Sequence, residues 1–341
     1  LGAATETTSS NGRPNQDVFA ETLQHLANSD RDIIAVTSDS RGSGKLVKFG
    51  NDLPAQIVEV GIAEQNLVGV AAGLASAGKK VFAVSPACFL TARALEQIKN
   101  DVAYSDNPVK LVGISAGVSY GALGTTHHSL HDLAVLRAIN NMTIVVPADN
   151  FETAQAVKLA VQSSKPVYLR FGKKPMPLLT EDTNIGFEFG KGRVIKRGAD
   201  ITIIANGETV YPAVLAAKKL QSDHGIAATV VSMHTVKPLD VALISELATQ
   251  TNAILTVEEH MVNGGLGEAC ASFLMQTGYH KPFKIMGIPD EYTVTGSQVE
   301  ILNHYGISET GIAAEAMKLI ASVNGHHNAS KPANKITNAN A

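Results

Sequence analysis

The sequence predicts an α/β protein built of two doubly wound domains, and three observations carry that expectation. Short apolar runs of strand length alternate with segments of helical period along most of the chain. The alternation breaks once, between Gly172 and Asp200, where prolines, glycines and scattered acids gather. The length, 341 residues, suits two units of about 150 residues each better than one.

Taken in order, Val18, Phe19, Leu23, Leu26 and Ala27 recur at helical spacing, and Asp32-Ile-Ile-Ala-Val-Thr37 then reads as a short buried strand. Lys80-Val-Phe-Ala-Val84 and Val109-Lys-Leu-Val-Gly-Ile114 are strand-like, with a helix expected around Ala92 to Tyr104 between them. Thr143 to Pro147 gives a further strand, Phe151 to Gln162 a helix, and Pro166-Val-Tyr-Leu-Arg170 another strand. The glycine-rich stretch after Gly172 is expected to connect the domains through a hairpin. Beyond it strands at Asp200–Ala205, Ala228–Ser232 and Ala253–Val257 alternate with helices near 212–222, 241–249 and 267–275. The expected boundaries are a disordered N-terminus over 1–11, a first domain over 12–175, a linker over 176–193, a second domain over 194–322 and a disordered tail over 323–341. The tail is rich in Asn, Lys, Ala and His and poor in apolar residues.

Apolar residues make up 45 % and charged residues 17 %, with a formal charge of -3, so bulk electrostatics give no reason to expect nucleic acid or an anionic membrane as partner. Any anion site must be local. Cys88 and Cys270 are the two cysteines and lack metal-ligand spacing, which argues against a disulfide framework or a zinc site and for a reducing, cytoplasmic setting. No basic region followed by an apolar stretch opens the sequence, and no uninterrupted apolar run reaches membrane-spanning length.

Three stretches carry candidate chemistry. Val58-Glu-Val-Gly-Ile-Ala-Glu-Gln-Asn66 places Glu64 at a helix start, where an acid serves either as a partner of the helix dipole or as a ligand-facing carboxylate. Ser85-Pro-Ala-Cys-Phe-Leu-Thr-Ala-Arg93 puts Phe89 at a strand-to-helix junction, a place for a core aromatic or for a stacking surface. Gly121-Ala-Leu-Gly-Thr-Thr-His-His-Ser-Leu-His131 packs His127, His128 and His131 together. If that segment were helical, His127 and His131 would share a face as metal ligands, but Gly-Thr-Thr favours a loop, either solvated or facing a substrate.

In order and spacing these stretches resemble the transketolase family, and Val-Gly-Ile-Ala-Glu-Gln-Asn is close to the wording in deoxyxylulose-phosphate synthases. The resemblance covers about residues 12–322 and extends to Thr256-Val-Glu-Glu-His-Met-Val-Asn-Gly-Gly-Leu-Gly-Glu268, whose glycines read as close helix packing, since they lack the G-x-G-x-x-G pattern. It implies a thiamine-pyrimidine-binding domain with a mostly parallel sheet, followed by a smaller transketolase C-terminal-like domain. It also implies that Glu64 meets the aminopyrimidine of thiamine diphosphate, that Ile62 and Phe89 line that ring, and that His127 touches the donor ketose. Two features depart from the family's pattern at this point. Ala92 stands where a second aromatic is usual, and the Gly-Asp-Gly segment that holds a divalent metal is missing.

The implied protein is therefore the C-terminal subunit of a split transketolase, with Mg2+ ligated by a separate N-terminal diphosphate-binding subunit and a heterotetramer as the assembly. The reaction implied is transfer of a two-carbon ketol unit from a phosphorylated or sulfonated ketose to an aldose phosphate. Arg170, at a strand's C-terminal end where α/β proteins bind ligands, is the first candidate for the sugar's anion, with Arg13 and Ser43 as lesser ones. Ser115 and Leu123 stand where transketolases carry a histidine and an aspartate, which points away from the ordinary pentose-phosphate pair. Another thiamine enzyme remains the alternative, either a deoxyxylulose-phosphate synthase fragment or the beta chain of a 2-oxoacid dehydrogenase.

Overall fold

The computed structural model describes residues 12–179 and 185–329, so the disorder expected over 1–11 and beyond 329 lies outside the described residues. The first domain contains β1 (Ile33–Thr37), β2 (Ile57–Glu59), β3 (Lys80–Pro86), β4 (Lys110–Ile114), β5 (Thr143–Val145) and β6 (Val167–Arg170). The second contains β7 (Arg193–Lys196), β8 (Ile201–Ala205), β9 (Ala228–Ser232), β10 (Thr235–Lys237), β11 (Ile254–Met261) and β12 (Phe283–Ile288). They form a seven-stranded sheet in the order β10-β5-β6-β4-β3-β1-β2 and a five-stranded sheet in the order β12-β11-β8-β9-β7. All pairings are parallel except β10 with β5 and β7 with β9, each at an edge.

Strands β1, β4 and β6 are buried at every position, which is why they read as continuous apolar runs rather than as alternating ones: helices cover both faces. Phe19 and Leu23 of helix Asn15–Ala27 pack with Val157 and Val161 of helix Asn150–Gln162 on one side. Leu67, Val68, Ala71 and Ala75 of helix Glu64–Ser76 pack on the other. In the second domain, helices Val210–His224 and Glu309–Ala329 cover one face, and Val241–Gln250 and Leu266–Gln276 the other.

The structure departs from the sequence reading in three places. The hairpin expected after Gly172 is absent among the described residues; β7 is a single edge strand pairing with β9. The helix expected over 92–104 is broken, because Ala94 (φ -106°, ψ 21°) leaves the helical region after Ala87–Arg93 and a wider turn follows over Ile98–Tyr104. The last helix runs to Ala329, past the boundary at 322.

Tyr168 of β6 is fully buried, and its hydroxyl donates to Asp132 Oδ2 at 2.7 Å. Room for that ring exists because Gly113 lies beside it in β4, where an added Cβ would stand 2.2 Å from Tyr168 Oη. Gly113→Ala must push Tyr168 off its carboxylate, and overpacking of this kind costs about 1–3 kcal/mol. The urea midpoint of the variant is expected to fall accordingly. An unchanged midpoint would mean that Tyr168 can move aside without loss.

Candidate functional site

Glu64 opens the helix Glu64–Ser76 and is 4 % exposed. The turn that delivers it is tied by Glu59, whose carboxylate accepts from Thr37 Oγ1 at 2.7 Å, Asp39 N at 2.7 Å and Gly61 N at 3.1 Å, with Gly61 in the left-handed region (φ 73°) that favours glycine. Arg93 Nη1 donates to both Glu64 oxygens at 3.0 Å, and the Arg93 Cζ lies 4.2 Å from the centre of the Phe89 ring. Ile62 is 76 % exposed and borders a cavity of about 580 Å3 with Glu64, Gln65 and Arg93.

His127 lies on a loop, not a helix, pinned at its base by the pairing of Gly117 with Ser129. Its ring stands edge-on to Phe89 (5.3 Å, 71°) and to Tyr120 (5.4 Å, 73°), and Thr126 Oγ1 is 3.0 Å from its Nδ1. His128 turns inward: Nε2–H donates to the Gly121 carbonyl at 2.9 Å, and Nδ1 accepts from the Thr293 hydroxyl at 2.8 Å. Burial lowers its pKa and keeps it neutral in that role. His131 borders the same cavity of about 870 Å3 as Phe89, Arg93, Thr126, His128 and Thr293. Glu64, Phe89 and His127 are thus brought together around Arg93, and among the described residues no group of three potential ligands could hold a metal ion.

Arg170 stands at the C-terminal end of β6, as expected, with its side chain turned inward. It is 6 % exposed, and its Nε donates to the fully buried Asp132 Oδ2 at 2.7 Å while Nη2 donates to the Ser129 and Glu259 carbonyls at 3.0 and 2.9 Å. A guanidinium so engaged braces the two domains through Nε and Nη2. Burial, the largest single influence, opposes ionisation of Asp132, but the Arg170 charge together with the hydrogen bonds from Arg170 and Tyr168 holds the carboxyl below its ordinary range. Arg13 is likewise occupied, in a two-point pair with Glu21 at 2.8 and 2.6 Å, and the cavity it borders with Lys45 and Lys48 does not include Phe89. Ser43 is exposed on the loop ahead of Lys45 and is not gathered to the site either.

Sequence reasoning missed Tyr120, Lys173, Arg93 and Thr293. Lys173 Nζ sits 4.7 Å from the centre of the Tyr120 ring, on the exposed loop after β6. Arg93 follows Phe89 by four residues, the helical spacing that puts two side chains on one face, and this signal was available. Nothing local marks Thr293.

Between the domains lie carboxylates with unusual surroundings. Glu258 accepts from Leu266 N at 2.7 Å and Gly267 N at 2.8 Å, so its own side chain fills the helix N-terminus that the glycine-rich loop leads into. Gln298 Nε2 bridges Glu208 Oε2 (2.7 Å) and Glu259 Oε1 (3.0 Å), and Glu259 Oε1 also accepts from Val118 N at 2.8 Å. Burial first, and for Glu208 the neighbouring Glu259 charge second, pushes Glu208 and Glu258 up to about 7.

A family model described as the transketolase pyrimidine binding domain matches residues 13–177, and one described as the transketolase C-terminal domain matches 190–337. The chain therefore belongs to the transketolase family. It is 50 % identical over 302 residues to an apulose-4-phosphate transketolase subunit of Phocaeicola vulgatus, an alignment covering 89 % of this chain and 96 % of that protein. It is 33 % identical to the 6-deoxy-6-sulfo-D-fructose transketolase subunit SqwH of a Clostridium species, over 88 % of this chain and 92 % of that one. A solved structure described as a split gene transketolase, inactive beta4 tetramer, superposes with a TM-score of 0.81 at 36 % identity, over 91 % of this chain and 99 % of that one.

Removing Arg170 leaves a buried carboxylate unpaired, and breaking such a pair costs about 3–5 kcal/mol. Arg170→Ala is therefore expected to lose stability by that order in chemical denaturation, and to impair charged and uncharged sugar donors alike. A loss confined to KM for charged donors would return Arg170 to anion binding.

Glu208 and Glu258 keep a proton when folded at pH values where the unfolded chain, with a carboxyl near 4.5, has released it. Their contribution is full below that value and is lost as pH rises through about 7. The melting temperature is expected to fall between about pH 5 and about pH 8, and Glu208→Gln to flatten part of that fall in calorimetry. An identical slope in the variant would show that Glu208 is not titrating there.

Proposed function

We propose that this chain is the pyrimidine-binding subunit of a two-subunit, thiamine-diphosphate-dependent transketolase that moves a two-carbon ketol unit from an anionic ketose to an aldose phosphate. The observation that carries the reading is the placement of a buried carboxylate, Glu64, and an aromatic face, Phe89, on one cleft with His127 edge-on to Phe89. These residues fit the cofactor's aminopyrimidine, because the cleft already holds a planar N–C–N group, the Arg93 guanidinium, between that carboxylate and that ring. Thiamine diphosphate, when bound, supplies the nucleophilic carbon and the electron sink for carbon–carbon cleavage. Glu64 holds a proton against the ring nitrogen of the pyrimidine, and Phe89 supports the ring's face. His127, steadied through Nδ1 by Thr126, offers Nε2 to an oxygen of the donor sugar.

Diphosphate and Mg2+ ligands are expected from a partner carrying Gly-Asp-Gly, and subunit names among the relatives support a divided enzyme. A heterotetramer, two copies of each subunit, is the assembly we favour; the beta4 tetramer described for the solved relative supports self-association of this half. With Arg170 and Arg13 engaged elsewhere, Lys173, which lies over the Tyr120 ring that in turn meets His127, is the cation we assign to the sugar's phosphate or sulfonate. The 50 % identity to a protein named for apulose 4-phosphate, together with Ser115 and Leu123, favours a phosphorylated ketose other than the ordinary pentose pair.

The test is Glu64→Gln, assembled with the partner subunit. Glutamine keeps the size but cannot supply the proton, and turnover should fall by on the order of 10²-fold or more while assembly is retained. Wild-type turnover in the assembled variant would reduce Glu64 to a partner of its helix dipole.

A further inference from the structure

Arg93 occupies both halves of the place that the proposed reading gives to the aminopyrimidine. Its Nη1 is 3.0 Å from each Glu64 oxygen, and its Cζ is 4.2 Å from the Phe89 ring centre. A guanidinium and an aminopyrimidine share the relevant chemistry: each is planar, can share an N–H hydrogen bond with a carboxylate through one nitrogen, and offers a π face to an aromatic ring. One side chain thus satisfies the two groups that would otherwise recognise the ring.

Its position in the cleft is as telling as its contacts. The cavity of about 580 Å3 at Glu64 and the cavity of about 870 Å3 at Phe89 and His128 have Arg93 as their shared wall. The Glu64 side chain is 4 % exposed beneath it, while the Arg93 side chain is 49 % exposed, so the gate is free on its outer side and closed on its inner one. Turning Arg93 outward would join the two cavities into one cleft running from Glu64 past Phe89 towards His127. Asp290 and Glu291 border the larger cavity along with Arg93.

We propose that Arg93 is an autoinhibitory placeholder: in the cofactor-free chain its guanidinium stands in for the aminopyrimidine on Glu64 and Phe89, and it must leave before the cofactor can seat. This rests on the reading of Glu64 and Phe89 as the pyrimidine site. A protein whose binding-competent state is only partly populated binds with an affinity reduced by that fraction, so removing the placeholder raises affinity. An arginine that instead helped to hold the ring would lower affinity when removed.

The experiment titrates the assembled two-subunit enzyme with thiamine diphosphate in the presence of Mg2+ by calorimetry, comparing wild type with Arg93→Ala and Arg93→Met. Methionine keeps the stem's cover over Phe89, so the test survives if alanine alone disturbs the fold. Both variants are expected to bind the cofactor more tightly, by roughly 3- to 30-fold, as for a competent state populated at a few to some tens of per cent. Unchanged or weaker binding in Arg93→Met overturns the placeholder. Glu64→Ala and Phe89→Ala separate the two levels of the claim. If both retain wild-type cofactor affinity, the pyrimidine reading itself fails and the placeholder falls with it; if both lose affinity while Arg93→Met gains none, only the placeholder fails.

Discussion

The Asp132–Arg170 pair is the interaction on which the arrangement of the cleft depends. Both groups are buried and 2.7 Å apart, and further hydrogen bonds to Asp132 Oδ2 and from Arg170 help to offset their loss of water, although Asp132 Oδ1 has no hydrogen-bond partner. Tyr168 gives Asp132 a second donor, and Arg170 reaches the carbonyls of Ser129 and Glu259. Those two carbonyls belong to different domains, so one guanidinium fixes the base of the histidine loop and the end of β11 together. His260 completes the arrangement: burial holds it neutral at about 4, Nδ1–H donates to the Met261 carbonyl at 2.7 Å, and Nε2 accepts from Ala134 N at 3.4 Å.

The loop bearing His127 and His128 owes its shape to this anchoring. Gly117 exchanges main-chain bonds with Ser129, and a side chain at Gly117 would stand 2.4 Å from Glu259 Cδ, so only glycine lets the loop close against the second domain. Thr293 then reaches across to His128 from the second domain's own loop. The C-terminal domain contributes to the cleft by support, holding the orientation of a loop whose chemistry belongs to the first.

The strands of both sheet centres were legible because burial on two faces writes an unbroken Val/Ile run into the sequence. β2, β7 and β10 were not, being three or four residues long and lying at or next to sheet edges, where only pairing defines them. That Glu64, Phe89 and His127 would lie near one another was legible through the order of their motifs, whereas each alone was ambiguous. Arg170 shows the limit: its location at a strand end was read correctly, but its partner lies 38 residues upstream, and no local pattern says that a buried acid waits there. Arg13 fails in the same way, with Glu21 close in sequence but on a helix whose facing could be known only from packing.

The antiparallel pairing of β10 with β5 has a consequence for where this chain can be divided. Residues 235–237 come after the second domain has begun, yet they complete the first domain's sheet, at Thr235 opposite Val145 and Lys237 opposite Ile144. A fragment cut in the connecting stretch would leave the N–H and C=O groups of β5 as a bare rim, an invitation to intermolecular strand addition and insolubility. Division of the chain between the two domains is therefore disfavoured, since they inherit a common fate through a three-residue stitch.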